Sequence, residues 1–162
     1  MRVGKISGAR ISVYLLEQSR VVHQALGESN FHVFYYLYDG LESEGRWRKF
    51  YLDEQLKSRH RYLQPLSVTH REHNVHRWRQ LNQAFKVVGF NDDEVQIIYR
   101  MLAAILHLGD IEFAETAGEY NADNRATIID TAPLHRASCL LGVETNDLRE
   151  CLTSSSVVTK GE

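Results

Sequence analysis

Three histidines at positions 70, 73 and 76 are the first residues in this chain whose type and spacing could do chemistry. Imidazoles are common metal ligands. On a helix these three spread over roughly 120°. The zinc-protease pattern H-E-x-x-H needs histidines four apart, with Glu beside the first. Here Glu72 precedes His73 and the next histidine follows after three, so a solvated helix start is expected. His135 and Cys139 have the spacing of a nucleophile and its base, but share one short predicted helix with no third group, and read as packing residues. Phosphate cradling needs a loop such as G-x-x-x-x-G-K-[ST] feeding a helix. The ten glycines fall at turns and helix ends, and Gly4-Lys5 is followed by Ile6, so the chain holds no phosphate loop. One region is basic: Arg46 to Arg79 carries nine of the 19 lysines and arginines, with Trp47, Phe50, Tyr51 and Tyr62 between them. Such a mixture suits either a solvated connector or a surface for nucleic acid or another acidic partner. A formal net charge of -2 favours the connector.

The elements that must position these residues belong to a chain of 162 residues, 43% hydrophobic and 25% charged, enough for one domain with its own core. No apolar run approaches the ~20 residues of a membrane helix, and the N-terminus lacks a signal-peptide core. Cys139 and Cys151 are expected to be reduced thiols of an intracellular protein. There are no internal repeats or low-complexity linkers, so no internal boundary is placed.

The organising stretch runs from Gly8 to Leu41. Helical spacing of Ile11, Tyr14, Leu15, Val21 and Val22 predicts an amphipathic helix from Arg10 to Ala25, ended at Gly27, with a Glu17–Arg20 ion pair on its face. A second helix follows, capped by Ser29 or Asn30 and closed by Gly40. Its run of Phe31, Val33, Phe34, Tyr35, Tyr36, Leu37 and Tyr38 is apolar on nearly every side and must be covered all round. Glu42 to His70 reads as surface connection, with a helical turn near Asp53 to Ser58 and a break at Pro65. Glu72 to Val88 is helical, with Val75, Trp78, Leu81, Phe85 and Val88 on one stripe, and Gly89 ends it. The next helix start combines Asn91 as cap, Glu94 completing a capping box, and Phe90 with Val95 as a hydrophobic staple. Gly109 ends that helix. Ile111 to Phe113 reads as a short strand and Glu115 to Ala126 as an exposed loop. Short helices follow from Pro133 to Gly142 and from Thr145, the latter with Leu148, Cys151 and Leu152 facing inward.

Three strings carry a family resemblance. YLLEQSRVV (Tyr14 to Val22) with NFHVFYYLYDGL (Asn30 to Leu41), VGFNDDEVQIIYRMLAAILHLGDIEF (Val88 to Phe113) and LTSSSVVTKGE (Leu152 to Glu162) resemble segments of the myosin motor domain, in the same order and at similar spacing. Gln18 stands where the family usually has Lys. The details are most similar to unconventional class III myosins. The resemblance implies a mainly α fold with a few short β segments, part of the upper actin-binding subdomain of a P-loop NTPase-type motor. Residues 1–162 would then be a partial motor domain, truncated at both ends.

What the resemblance implies for function is specific about what this chain lacks. The family's phosphate loop and switch I lie upstream of the matching segment, and switch II downstream. ATP and Mg²⁺ belong to the complete motor, and no catalytic, cofactor-binding or metal-ligating residue is assigned here. Actin filaments and the rest of the motor are the implied partners, in the cytoplasm and cytoskeleton, with no membrane contact. Candidate actin contacts are Glu115, Gly118, Glu119, Asn121, Asn124 and Arg125 in one loop, and Ser154, Ser155, Ser156 and Lys160 in another. The second loop lacks the basic tip found in muscle myosins. A helical module binding nucleic acid or an acidic partner through Arg46 to Arg79 is the alternative.

Overall fold

A computed structural model describes residues 8, 10, 12, 14, 17, 19–25, 27–63, 71–114 and 126–154. Its helices, in chain order, are α1 (His32–Ser43), α2 (Glu54–Lys57), α3 (Arg71–Val88), α4 (Asp92–Gly109), α5 (Thr131–Leu141) and α6 (Thr145–Thr153). Short 3-10 turns at Trp47–Phe50 and Arg61–Leu63 link the first three. A two-stranded antiparallel ribbon, β1 (Phe113–Ala114) and β2 (Thr127–Ile128), pairs Phe113 with Ile128 and Ala114 with Thr127. The described fold is mainly helical, as the apolar periodicities require.

The apolar helix α1 is the centre of the core. Phe34, Tyr35, Leu37, Tyr38 and Leu41 are all buried, packed with Trp78 of α3 and with Val95, Tyr99, Ala103 and Leu106 of α4. This chain therefore covers most of its own most apolar helix; neighbours outside the sequence are not needed for that. Burying each such side chain stabilises by about 1.5–3 kcal/mol, which is why α3 and α4 wrap it. On its far side α4 packs against α5, and α5 carries α6.

Gly40 does not close α1. It lies inside the helix, buried, and a Cβ there would come within 3.0 Å of three Trp78 ring atoms. The glycine is a notch for Trp78. That ring is fixed on its other sides by Tyr99, at a centroid distance of 4.6 Å, and by a 2.7 Å hydrogen bond from Nε1 to Glu44 Oε1. Nor does Asn30 cap α1, whose first turn has no side-chain cap. Asn30 is buried, and its Nδ2 donates to the carbonyls of Val21 (3.0 Å) and Tyr62 (2.8 Å), tying two distant segments to the start of the helix.

Several further expectations differ from the structure. No helix forms among the described residues between 10 and 25, where only a turn at 19–22 is seen. Of the described residues of the predicted stripe, Tyr14 is 85% exposed, Val22 60%, and Val21 half-buried. Most helix stability comes from tertiary burial of that face. The Arg20–Glu17 ion pair forms regardless, at 2.9 Å. On α6, Leu148 is only half-buried and Cys151 and Leu152 are exposed, so the inward stripe is not realised; Thr145 is its first residue and Glu144 precedes it without a side-chain cap. Val88 likewise is exposed, unlike Val75 and Trp78 on the same helix. The connection after α1 is more deeply embedded than a surface path, since Phe50, Leu52, His60 and Leu63 are buried.

Local signals held where they were strongest. The capping box of α4 is complete: Asn91 Oδ1 accepts from Glu94 N at 2.9 Å and Glu94 Oε2 from Asn91 N at 2.8 Å. Val95 is buried while Phe90 packs on Phe85, ring centroids 5.3 Å apart. Asp53 caps α2 through Leu56 N, Asp130 caps α5 through Ala132 N, and Gly142 ends α5 with φ +72°.

Candidate functional site

Of the candidate actin contacts, Ser154 is described; it is exposed at the end of α6, with its Oγ donating to Glu150 O at 2.6 Å. Glu115, Gly118, Glu119, Asn121, Asn124, Arg125, Ser155, Ser156 and Lys160 lie outside the described residues. Residues flanking both stretches are described. Ala126 and Thr127, which follow the first, line a hollow of about 540 Å³ together with Thr153, which precedes the second. The hollow is completed by Ile128, Thr131, Asn146, Arg149 and Glu150. The ribbon and α6 therefore bring Ala126, Thr127 and Thr153 to one hollow.

The described part of the basic-aromatic stretch does not favour a nucleic-acid platform. Arg46 is held by Glu44 at 2.8 Å and Gln96 at 2.7 Å, Arg71 by Glu42 at 3.0 Å, and Lys57 pairs with the buried Asp39. Phe50 is in the core and Trp47 and Tyr62 are half-buried, so of the four aromatics only Tyr51 stands exposed. Stacking on bases requires open ring faces. His73 and His76 are exposed on α3, and His70 lies outside the described residues. On α5 the Cys139 Sγ lies 3.7 Å from His135 Nε2, and both side chains are exposed rather than packed.

The structure assembles a polar centre that no local spacing reveals. His60, at the start of the second 3-10 turn, and His107, in the last turn of α4, are both fully buried, with ring centroids 5.3 Å apart. Asp110, the C-cap of α4, joins them: its Oδ2 lies 2.6 Å from His60 Nδ1 and its Oδ1 accepts from Arg61 N at 2.9 Å. His107 Nε2 faces the Phe50 carbonyl at 3.3 Å. Each of these partners offers only an acceptor, so the facing ring nitrogens carry hydrogens. Burial pushes the His107 imidazole down to about 4, and the neighbouring His60 acts in the same direction. His107 is thus neutral at pH 7. A second buried polar group sits between α1, α2 and α3: Asp39 pairs with Lys57 and accepts from Asn74 Nδ2 at 2.7 Å. No helix among the described residues is long and apolar enough to cross a membrane.

Comparison with known proteins gives the context for this arrangement. The family model for the myosin head (motor domain) matches residues 2–162. Mouse (Mus musculus) Myosin-IIIb is 41% identical over 165 aligned positions, covering 98% of this chain and 12% of that protein. Human (Homo sapiens) Myosin-IIIa is 40% identical, covering 98% of this chain and 10% of its own length. Unconventional myosin-Ic of Rattus norvegicus is 39% identical, covering 96% and 14%. The chain thus spans only about a tenth to a seventh of the relatives it matches, yet nearly all of it is matched. With its predicted motifs, its helical core and a match from residue 2 to residue 162, the chain belongs to the myosin head (motor domain) family, with class III-like character.

Proposed function

We propose that this chain is a section of an ATP-driven, actin-based motor, forming part of its upper actin-binding subdomain, and that it does no nucleotide chemistry by itself. The observation that carries the reading is the family match along residues 2–162 in a sequence with no phosphate loop. ATP hydrolysis in this family rests on Mg²⁺, a phosphate cradle and a positioned water; the sequence matched here supplies none of the cradle. Its role is structural: a helical wall around α1 that contributes residues 115–125 and 154–160 to the contact with the filament. The shared hollow at Ala126 and Thr153 supports a single contact face built from residues 115–125 and 154–160. Glu115, Gly118, Glu119, Asn121, Asn124, Arg125, Ser154, Ser155, Ser156 and Lys160 are its proposed contacts. ATP, Mg²⁺ and the remaining motor elements are the partners of the complete protein, which would work on the cytoskeleton.

The test is a chimera. This segment replaces the matching segment of a Myosin-IIIa motor domain, and actin-activated ATP turnover is measured. Retained activation supports the reading. A chimera that still binds nucleotide but is no longer stimulated by actin, with activation restored by reverting residues outside 115–125 and 154–160 alone, would overturn the assignment of the contact face.

A further inference from the structure

We propose that His60 and His107 form a binding site for a divalent transition-metal ion of the class that imidazole takes, with Zn²⁺ its simplest member and Asp110 its positioning residue. Metal-bound histidines as a rule donate their second ring N–H to a carboxylate or a backbone carbonyl, which fixes the tautomer and aims the other nitrogen at the ion. Both histidines here have that arrangement. His60 Nδ1 donates to Asp110 Oδ2 at 2.6 Å, which leaves Nε2 with its lone pair. His107 Nε2 is turned to the Phe50 carbonyl at 3.3 Å, which leaves Nδ1 with its own.

Those two remaining nitrogens, His60 Nε2 and His107 Nδ1, are the buried side-chain polar atoms without a hydrogen-bond partner among the described residues. Burying an unsatisfied polar group costs about 1–3 kcal/mol, so two in one place call for a ligand. One donor atom from each of His60, His107 and Asp110 lies within 4.8 Å of the others. Zinc holds imidazole nitrogens at about 2.0–2.1 Å, a spacing that two rings with centroids 5.3 Å apart can meet by turning toward one ion. Water can supply the further ligands. Asp110 also lines a cleft of about 250 Å³, where Arg59, Arg61 and Arg136 balance Asp110, Glu112 and Asp130. A cation meets no net formal charge there. The bound ion would clamp the Arg61–Leu63 turn to the end of α4.

The experiment is a titration of the full 162-residue chain, first stripped with EDTA, with ZnSO₄ at pH 7.5, read by competition with a chromophoric chelator. One ion per chain is expected. His60→Gln and His107→Gln should each weaken binding by at least about 100-fold, and Asp110→Asn by about 10- to 100-fold. The exposed pair His73→Gln/His76→Gln should leave it unchanged. If wild type binds no ion, a bridging water alone fills the gap and the proposal is lost. It is equally lost if the surface pair carries the affinity. Should the buried variants fail to fold, Co²⁺ is added to wild type: paramagnetic shifts of the His60 and His107 ring protons support the site, and shifts confined to His73, His76 and His135 overturn it.

Discussion

Replacing Gly40 by Ala tests whether the packing of α1 on α3 is as tight as the structure requires. Inside an exposed helix the change would stabilise by about 0.8–1.0 kcal/mol, because Ala loses less backbone freedom. Here the new Cβ falls within 3.0 Å of Trp78 Cγ, Cδ1 and Cδ2. The indole cannot withdraw easily, since Tyr99 stacks at 4.6 Å and Glu44 holds Nε1 at 2.7 Å. Overpacking of a closed core costs about 1–3 kcal/mol, and with the ring trapped the upper end applies. The two terms leave G40A destabilised by about 2 kcal/mol. Urea melts followed by far-UV circular dichroism and tryptophan emission measure it. The same substitution in a Trp78→Ala background removes the clash, so the sign should reverse to a gain of about 1 kcal/mol. Trp78→Ala itself costs about 3–5 kcal/mol, so all four proteins are compared in one concentration of a stabilising osmolyte. A G40A chain as stable as wild type, or equal shifts in both backgrounds, would refute the reasoning.

Further outcomes follow from the same structure. Asn91→Ala removes one half of the α4 capping box and should cost about 1 kcal/mol in a denaturant melt. Asp39→Ala leaves Lys57 and Asn74 without their buried carboxylate and should cost about 3 kcal/mol, with Asn in place of Asp milder. His107 gives stability a pH dependence. Its folded-state pKa of about 4 lies below the ordinary value of 6.5, so between those values the unfolded chain binds the extra proton. Its contribution is complete above pH 6.5 and is lost as pH falls toward 4, by up to about 3 kcal/mol. Melts in EDTA across that window should show the slope, and His107→Gln should flatten it; an unchanged slope would reassign it to other groups.

How much was legible in the sequence depended on the range of the interaction. The α4 start was readable because Asn91, Glu94 and their backbone partners lie within one turn, and the Gly142 stop because it needs only a left-handed φ. The segment from Arg10 to Ala25 has as good a helical stripe as Glu72 to Val88, yet among the described residues Tyr14 and Val22 stand exposed while Val75 and Trp78 are buried. Periodicity records what a helix would bury and is silent on whether anything receives it. Gly40 looked like a stop because glycines usually are; its use as a notch depends on Trp78, far along the chain. The same limit hid the polar centre. His70, His73 and His76 drew attention by being close in sequence, whereas His60 and His107 meet only once the second 3-10 turn lies against α4. The family resemblance, by contrast, rests on contiguous strings of residues and needs no contacts.

Steady-state ATP turnover by the purified chain, with saturating Mg²⁺ and filamentous actin, is the most direct test of the proposal that this segment carries no nucleotide chemistry of its own. The expected rate is that of a heat-inactivated control, with or without actin. Turnover above that control, stimulated by actin and co-purifying with the chain, would contradict it.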